Sequence, residues 1–173
     1  MLLTLLLALF VVAADQVTKL MIVNSMQLGD DIPIIEGILH LYYTQNKGAA
    51  FSMLEGMQWV FIVTSILAVL AIIWYLARKT TKIHWFGLMS LGLVMGGALG
   101  NLIDRLRMPD HSVIDFVYVK AINFAVFNVA DSGITVGAIL LCIYLLFVHE
   151  KYKKKLKDQA VKPGETDGQQ AEG

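Results

Sequence analysis

The chain has 173 residues, 57% of them hydrophobic and only 16% charged, and its 14 basic and 14 acidic side chains cancel at neutral pH. That balance, together with long stretches carrying no charge, excludes a soluble globular domain and describes a chain that resides in lipid.

The first uncharged run, Met1 to Ala14, is too short to cross a bilayer, whereas Gly56 to Ala77, Ile83 to Ile103 and Ser132 to His149 each reach the roughly 18 residues that ~30 Å of hydrocarbon demands. At ~1.5 Å per residue the first helix must therefore run on to about Met26. This carries Asp15 and Lys19 to one membrane face. Val12-Ala13-Ala14 offers a small-residue cleavage site for a secretory signal. A basic leading region is missing, however, and the apolar pattern continues through Val17, Leu20, Met21 and Ile22, so a retained span is the better reading. Four spans follow, at about 3–25, 57–77, 84–105 and 129–149. They predict an all-α integral membrane fold in a single domain over 1–150, with a basic and then disordered tail over 151–173.

Between the first two spans, Ile32 to Thr44 is rich in β-branched and aromatic residues with Gly37 in the middle, which predicts a strand, a turn and a second strand. Two strands alone are marginal, so the element should rest on the membrane surface or on helix ends. The third span carries Gly92, Gly96 and Gly100, and the fourth Gly133 and Gly137, small faces that permit close helix packing. Between them, Val117-Tyr118-Val119 and Ile122-Asn123-Phe124-Ala125 are apolar but too short to span, and predict an interfacial helix or strand. Cys142 has no partner in the chain, which excludes an internal disulfide and suggests a small buried apolar side chain. The tail turns polar beyond Lys157, and Pro163 to Gly173 has the composition of a disordered segment.

Basic residues cluster after the second span (Arg78, Lys79, Lys82) and after the fourth (Lys151, Lys153, Lys154, Lys155, Lys157). The positive-inside rule makes both segments cytoplasmic, so both termini lie inside and the loops at about 27–56 and 106–127 face outward. Trp59, Trp74, Trp85 and Tyr75 fall near span ends, as an interfacial aromatic belt requires.

This topology assigns a depth to every polar group. Asp15 and Lys19, then Asn101, Asp104 and Arg105, then Asn128 and Asp131 all reach the outer interface, where they can form one site from three helices and two loops. Asp15 and Lys19 read as a structural i,i+4 ion pair. Asp104 and Arg105 read as an interface anchor, although arginine can also fork toward carbonyl or carboxylate groups, and Asn128 as the N-cap of the fourth span. Asp115, in Val-Ile-Asp-Phe, and Asp131, in Phe-Asn-Val-Ala-Asp, lie at the edges of apolar segments, where a carboxylate is costly. Two carboxylates meeting in a partly dry site resist ionising together, which leaves one as base and one as acid and equips the pair to activate water. The four histidines have no metal-ligand spacing. A proton-coupled transporter would place acidic groups near the midplane, and away from their outer ends spans two and four have none. A non-catalytic assembly protein would use the glycine faces but leaves the aspartate motifs without a purpose.

Five motifs in order, Asp15-Gln16-Val17-Thr18-Lys19, Asn46-Lys47-Gly48-Ala49-Ala50-Phe51, Gly100-Asn101-Leu102-Ile103-Asp104-Arg105, Val113-Ile114-Asp115-Phe116 and Phe127-Asn128-Val129-Ala130-Asp131, resemble those of the lipoprotein signal peptidases, or signal peptidases II. The resemblance covers nearly all of 5–148. It implies a four-helix membrane aspartic peptidase with a small extracytoplasmic β-cradle and an interfacial helix over the site, in the bacterial cytoplasmic membrane with the site at the outer face. Such an enzyme removes the signal peptide of diacylglyceryl-modified prolipoproteins, cutting just before the lipidated cysteine. The resemblance further implies Asp115 and Asp131 as the catalytic pair. Asn46, Gly48, Asn101, Arg105 and Asn128 become substrate contacts or site scaffolding, and Asp15 with Lys19 a structural pair. The partners implied are lipid-modified prolipoproteins and membrane lipid, with no cofactor, metal or nucleic acid, and activity as a monomer. The 16-residue separation of the two aspartates is short for the family and bears on the length of the interfacial helix.

Overall fold

The computed structural model describes residues 1–48, 56–78 and 83–161. Ala49, Ala50 and Phe51 of the second motif, Lys79 and Lys82, and the expected disordered tail from Pro163 lie outside the described residues. In chain order the elements are helix α1 (Leu2–Ser25), strands β1 (Asp31–Ile35) and β2 (Leu39–Asn46), and helices α2 (Gln58–Ala77) and α3 (Trp85–Arg107). Strand β3 (Val113–Val119), helix α4 (Val129–Ile143) and helix α5 (His149–Val161) follow. Among the described residues, four helical segments are long and apolar enough to cross a membrane: α1, α2, α3 and the continuous stretch Val129–Asp158. The chain is a multi-pass membrane protein.

Helix α3 is the central post, because its small residues let the neighbouring backbones close on it. A Cβ at Gly96 would stand 2.7 Å from Val11 Cβ and 2.8 Å from the Ala8 carbonyl, so α1 packs where only hydrogen fits. Gly96→Ala should therefore lower stability by roughly 1–3 kcal/mol, because neither a β-branched side chain nor a helix carbonyl can step aside cheaply. Thermal unfolding in bicelles measures this, and an unchanged midpoint would contradict it. The outward faces of the bundle carry large apolar residues such as Phe10, Leu67 and Leu146, and the three tryptophans are exposed near helix ends. Cys142 does not hold the buried position expected of it: α4 turns Gly133 and Gly137 toward α3, and Cys142 is exposed on the outside of the bundle. In a lipid-facing helix surface an apolar thiol needs no burial in protein.

The predicted strand–turn–strand forms, with Gly37 at φ +69° in the turn, and gains a third member. The antiparallel order is β1-β2-β3, with Thr44 opposite Asp115 and Asn46 opposite Val113. The segment read as an interfacial helix or strand takes the strand: it is β3, one 3-10 turn (Lys120–Ile122) and an extended return in which Phe127 and Val117 exchange backbone hydrogen bonds of 3.0 and 2.8 Å, in place of the helix that the resemblance implies. Val113, Ile114, Val117 and Val119 favour a pleated, half-buried surface, and β2 offers them a ladder. Asn123 at φ +48° turns the chain back, which brings Asp131 close to Asp115 along the sequence without a helix between them. The sheet rests on the outgoing end of α1: Tyr43, Ile114 and Phe116 pack on Ile22 and Met26. Strand alternation sends Asp115, between Ile114 and Phe116, to the opposite face.

Candidate active site

Two helices and two strands deliver the site. The last turns of α3 supply Asn101, Asp104 and Arg105, the start of α4 supplies Asn128 and Asp131, and the paired ends of β2 and β3 supply Asn46 and Asp115. The start of α4 is organised locally by a reciprocal cap. The Asn128 side-chain oxygen accepts from the Asp131 N–H at 2.9 Å, while Asp131 Oδ2 accepts from the Asn128 N–H at 3.1 Å.

That cap leaves the Asn128 amide only one usable orientation. Because its oxygen is taken by a backbone donor, its NH2 must face acceptors, and it reaches Asp115 Oδ1 (2.7 Å), Asn101 Oδ1 (3.1 Å) and the Ile114 carbonyl (3.2 Å). Asn46 follows the same logic: its oxygen accepts from the Gly48 N–H at 2.9 Å, so its NH2 donates to Asp115 Oδ2 at 3.0 Å. Asn101 accepts from Lys19 Nζ at 3.1 Å, an ammonium that can only donate, and gives its NH2 to Asp131 Oδ1 at 2.7 Å. Every oxygen of Asp115 and Asp131 thus has an N–H donor. The two aspartates communicate through the Asn101–Asn128 pair.

Asp115 is 2% exposed. Burial, and then the neighbouring Asp131 carboxylate, push its pKa up to about 7, against the opposing pull of Asn46, Lys19 and Asn128. A carboxyl that keeps its proton near neutrality beside a second carboxylate is an acid poised next to a base. Both aspartates line one cavity of about 470 Å³ with Asn46, Gly48, Asn101 and Arg105. Its remaining wall is mostly apolar, from Phe124–Phe127 and from Ile134 and Val136 of α4, with Ser132 and Thr135 of α4 as its polar members. A second groove of about 420 Å³ shares Asn46 and Asp115 and continues over the sheet to Asp31, Tyr42 and Tyr118. Arg105 donates to the Gly48 carbonyl at 3.3 Å and lies 5.0 Å from the centre of the Phe61 ring.

The structure brings together all seven residues read as the pair and its surroundings, and Asp15 and Lys19 form the expected ion pair at 2.9 Å. Asp104 is not an interface anchor. It is wholly buried and meets Lys19 at 2.8 Å, because the end of α3 is covered by α1 and β3 rather than by headgroups. Gln16 is a site-supporting residue that sequence reasoning passed over: its amide NH2 reaches Asp15 (3.1 Å), Asp104 (3.0 Å) and the Gly100 carbonyl (3.2 Å). Its position inside the first motif was the available signal.

Residues 7–147 match the sequence profile of the family described as Signal peptidase (SPase) II. The chain is 43% identical to the lipoprotein signal peptidase of Anoxybacillus flavithermus, over 90% of this chain and 91% of that protein. It is 40% identical to the one of Clostridioides difficile, over 84% and 96%. Among solved structures it resembles a bacterial membrane enzyme determined at 2.3 Å, with a TM-score of 0.75 and 34% identity over 92% of this chain and 90% of that one. Profile, relatives and structural likeness each extend over the helices and the sheet that carry the two aspartates, and the chain belongs to the signal peptidase II family.

Proposed function

We propose that this protein is an aspartic endopeptidase that removes signal peptides from prolipoproteins carrying a diacylglyceryl group, cutting just before the lipidated cysteine. The observation that carries this reading is that Asp115 and Asp131 line one cavity, with every carboxylate oxygen met by an N–H donor.

Asp115 takes the part of the acid, since burial and the neighbouring Asp131 raise its pKa to about 7 and let it keep a proton up to that pH. Asp131 takes the part of the base, since it lies in the first turn of α4, where a negative charge is favoured. Asp131 removes a proton from water as the water oxygen attacks the scissile carbonyl carbon, and Asp115 gives its proton to the carbonyl oxygen. The proton held by Asp131 then passes to the amide nitrogen, the C–N bond breaks, and the collapsing diol returns a proton to Asp115. Arg105, Gly48 and Asn46 border the path of the substrate backbone, and the apolar wall of Phe124–Phe127, Ile134 and Val136 suits the lipid and the apolar signal segment.

Chain direction supports an outward-facing site. The ends of α1 and α3 and the start of α4 gather at the sheet, whereas Arg78 and the lysines of α5 lie at the other end of the bundle, which the positive-inside rule makes cytoplasmic. Both carboxylates belong to one chain, which supports activity as a monomer.

The test uses the purified protein in bicelles with a synthetic prolipoprotein peptide, lipidated or not. Cleavage before the cysteine should require the lipid, and kcat/KM should fall as pH rises through about 7, when Asp115 loses the proton it must donate. Equal turnover of the unlipidated peptide would remove the substrate assignment, and a rate that keeps rising above that pH would remove the role of Asp115.

A further inference from the structure

The buried charges that the mechanism does not use are Asp15, Lys19 and Asp104, all 0% exposed. Lys19 spends its three N–H donors on Asp15 Oδ2 (2.9 Å), Asp104 Oδ2 (2.8 Å) and Asn101 Oδ1 (3.1 Å). Gln16 bridges the two carboxylates from the side. A cluster of this kind adds little to stability over a well-packed apolar one, because taking the charges out of water offsets their attraction. Its connections are more telling than its charge.

Asp15 Oδ1 accepts from the backbone N–H of Ala130 at 2.9 Å, and Asp104 Oδ2 accepts from the backbone N–H of Ile114 at 3.1 Å. Ala130 is the residue before Asp131, and Ile114 is the residue before Asp115. Each carboxylate of the cluster therefore grips the main chain one residue ahead of one member of the pair and adds a polar tie to the packing of α1 and α3 against those segments. Gly100 makes this reach possible, since a Cβ there would stand 2.7 Å from Asp15 Oδ2. The third donor of Lys19 goes to Asn101, which bonds Asp131 directly.

We propose that Asp15, Lys19 and Asp104 form a spacing clamp: the lysine draws the two carboxylates together, and through their backbone bonds this fixes the separation of Asp115 and Asp131. The inference rests on the catalytic reading of that pair. Without the ammonium the two buried carboxylates lose the cation that joins them and can share the site only by repelling or by taking up a proton, and either way their common hold on the main chain at Ile114 and Ala130 loosens. A water bridging the pair is then held by one carboxylate only. Substrate, which occupies the cavity above, is bound much as before. Lys19, Asp15 and Asp104 are in this sense positioning residues, with no contact to the reacting atoms.

The experiment compares Lys19→Met with the double variant Lys19→Met/Asp15→Asn, each in bicelles with the lipidated peptide and with kcat normalised to the folded fraction. For Lys19→Met, kcat should fall by about 10²-fold, the cost of misplacing reacting groups by roughly 1 Å, with KM within about threefold of the parent. The double variant removes one negative charge along with the positive one and keeps an oxygen for the Ala130 N–H. It should recover at least about tenfold of that loss in kcat. A kcat for Lys19→Met within about twofold of the parent overturns the clamp, as does a double variant no better than the single one. If Lys19→Met does not insert, the double variant decides alone: kcat within about tenfold of the parent supports the clamp, and a loss beyond about 10³-fold overturns it. Asp115→Asn run alongside separates the two ideas. An active Asp115→Asn enzyme removes the catalytic reading itself, whereas an inactive one beside an unimpaired Lys19→Met enzyme removes only the clamp.

Discussion

Asp115→Asn and Asp131→Asn should each lower kcat by at least about 10³-fold while leaving the protein inserted and folded, because one proton must be held and one must be accepted in the same transition state. An amide at 115 has no proton to deliver to the carbonyl oxygen, and an amide at 131 cannot take one from water. The two losses should not add. The double Asn variant should be no slower than either single variant, since the carboxylates act as a unit. Folding tolerates the changes because the sheet and the helix cap hold the backbone without these side-chain charges: β3 is paired to β2 on both sides of a bulge, and Asn128 still accepts from the residue 131 N–H. Single-turnover cleavage of the lipidated peptide, with circular dichroism on the same samples, measures both halves of this expectation. A variant at either position retaining a tenth of the parent rate would end the dyad mechanism.

Asn128 should show a separable pair of effects, because one side chain performs two jobs with its two ends. Its oxygen caps α4, and its NH2 holds Asp115 Oδ1 at 2.7 Å and Asn101 Oδ1 at 3.1 Å. Asn128→Ser keeps a capping oxygen but has no group long enough to reach Asp115. Stability should stay close to the parent while kcat falls by about 10²-fold, the size of effect expected for a lost orienting contact. Asn128→Ala should lose the same activity and, in addition, about 0.5–2 kcal/mol of stability with the cap. Unfolding midpoints and kcat measured for both variants distinguish the two roles. If Ser restores activity along with stability, Asn128 is a cap only and its bond to Asp115 is incidental.

Much of the fold is legible in the sequence. Uncharged runs of sufficient length predict the spans: α2 and α3 begin and end within a few residues of those limits, and the helical stretch that α4 opens at Val129 runs on to Asp158. The strand–turn–strand around Gly37 was equally legible, since β-branched residues on either side of a glycine leave few alternatives. The N-cap at Asn128 was visible from its place just ahead of an apolar helix. What escaped was of a different kind. Val117-Tyr118-Val119 suited a strand or an interfacial helix, and only the free edge of β2, whose Thr44 pairs with Asp115, decides for the strand. Asp104 looked like a surface anchor because it stands near a helix end beside an arginine, yet Lys19 on another helix buries it. Cys142, without a partner and inside an apolar span, reads as a buried small side chain, and the rotation of α4 on α3 turns it outward.

Hydropathy, spacing and motif order are local properties, and by themselves they determined the number of spans, the end of the bundle at which the polar groups collect, and the two aspartates on which a hydrolytic reading depends. Which groups touch was decided only by the tertiary structure. The partners of Lys19 come from three positions across α1 and α3, and those of Asp115 from β2 and the cap of α4, so their distances follow from how closely glycine faces let the helices approach. A carboxylate is costly in an apolar segment wherever the chain goes, and that much is written in the sequence. Whether that carboxylate becomes an acid, a base or a clamp depends on the donors the fold sets within about 3 Å of it.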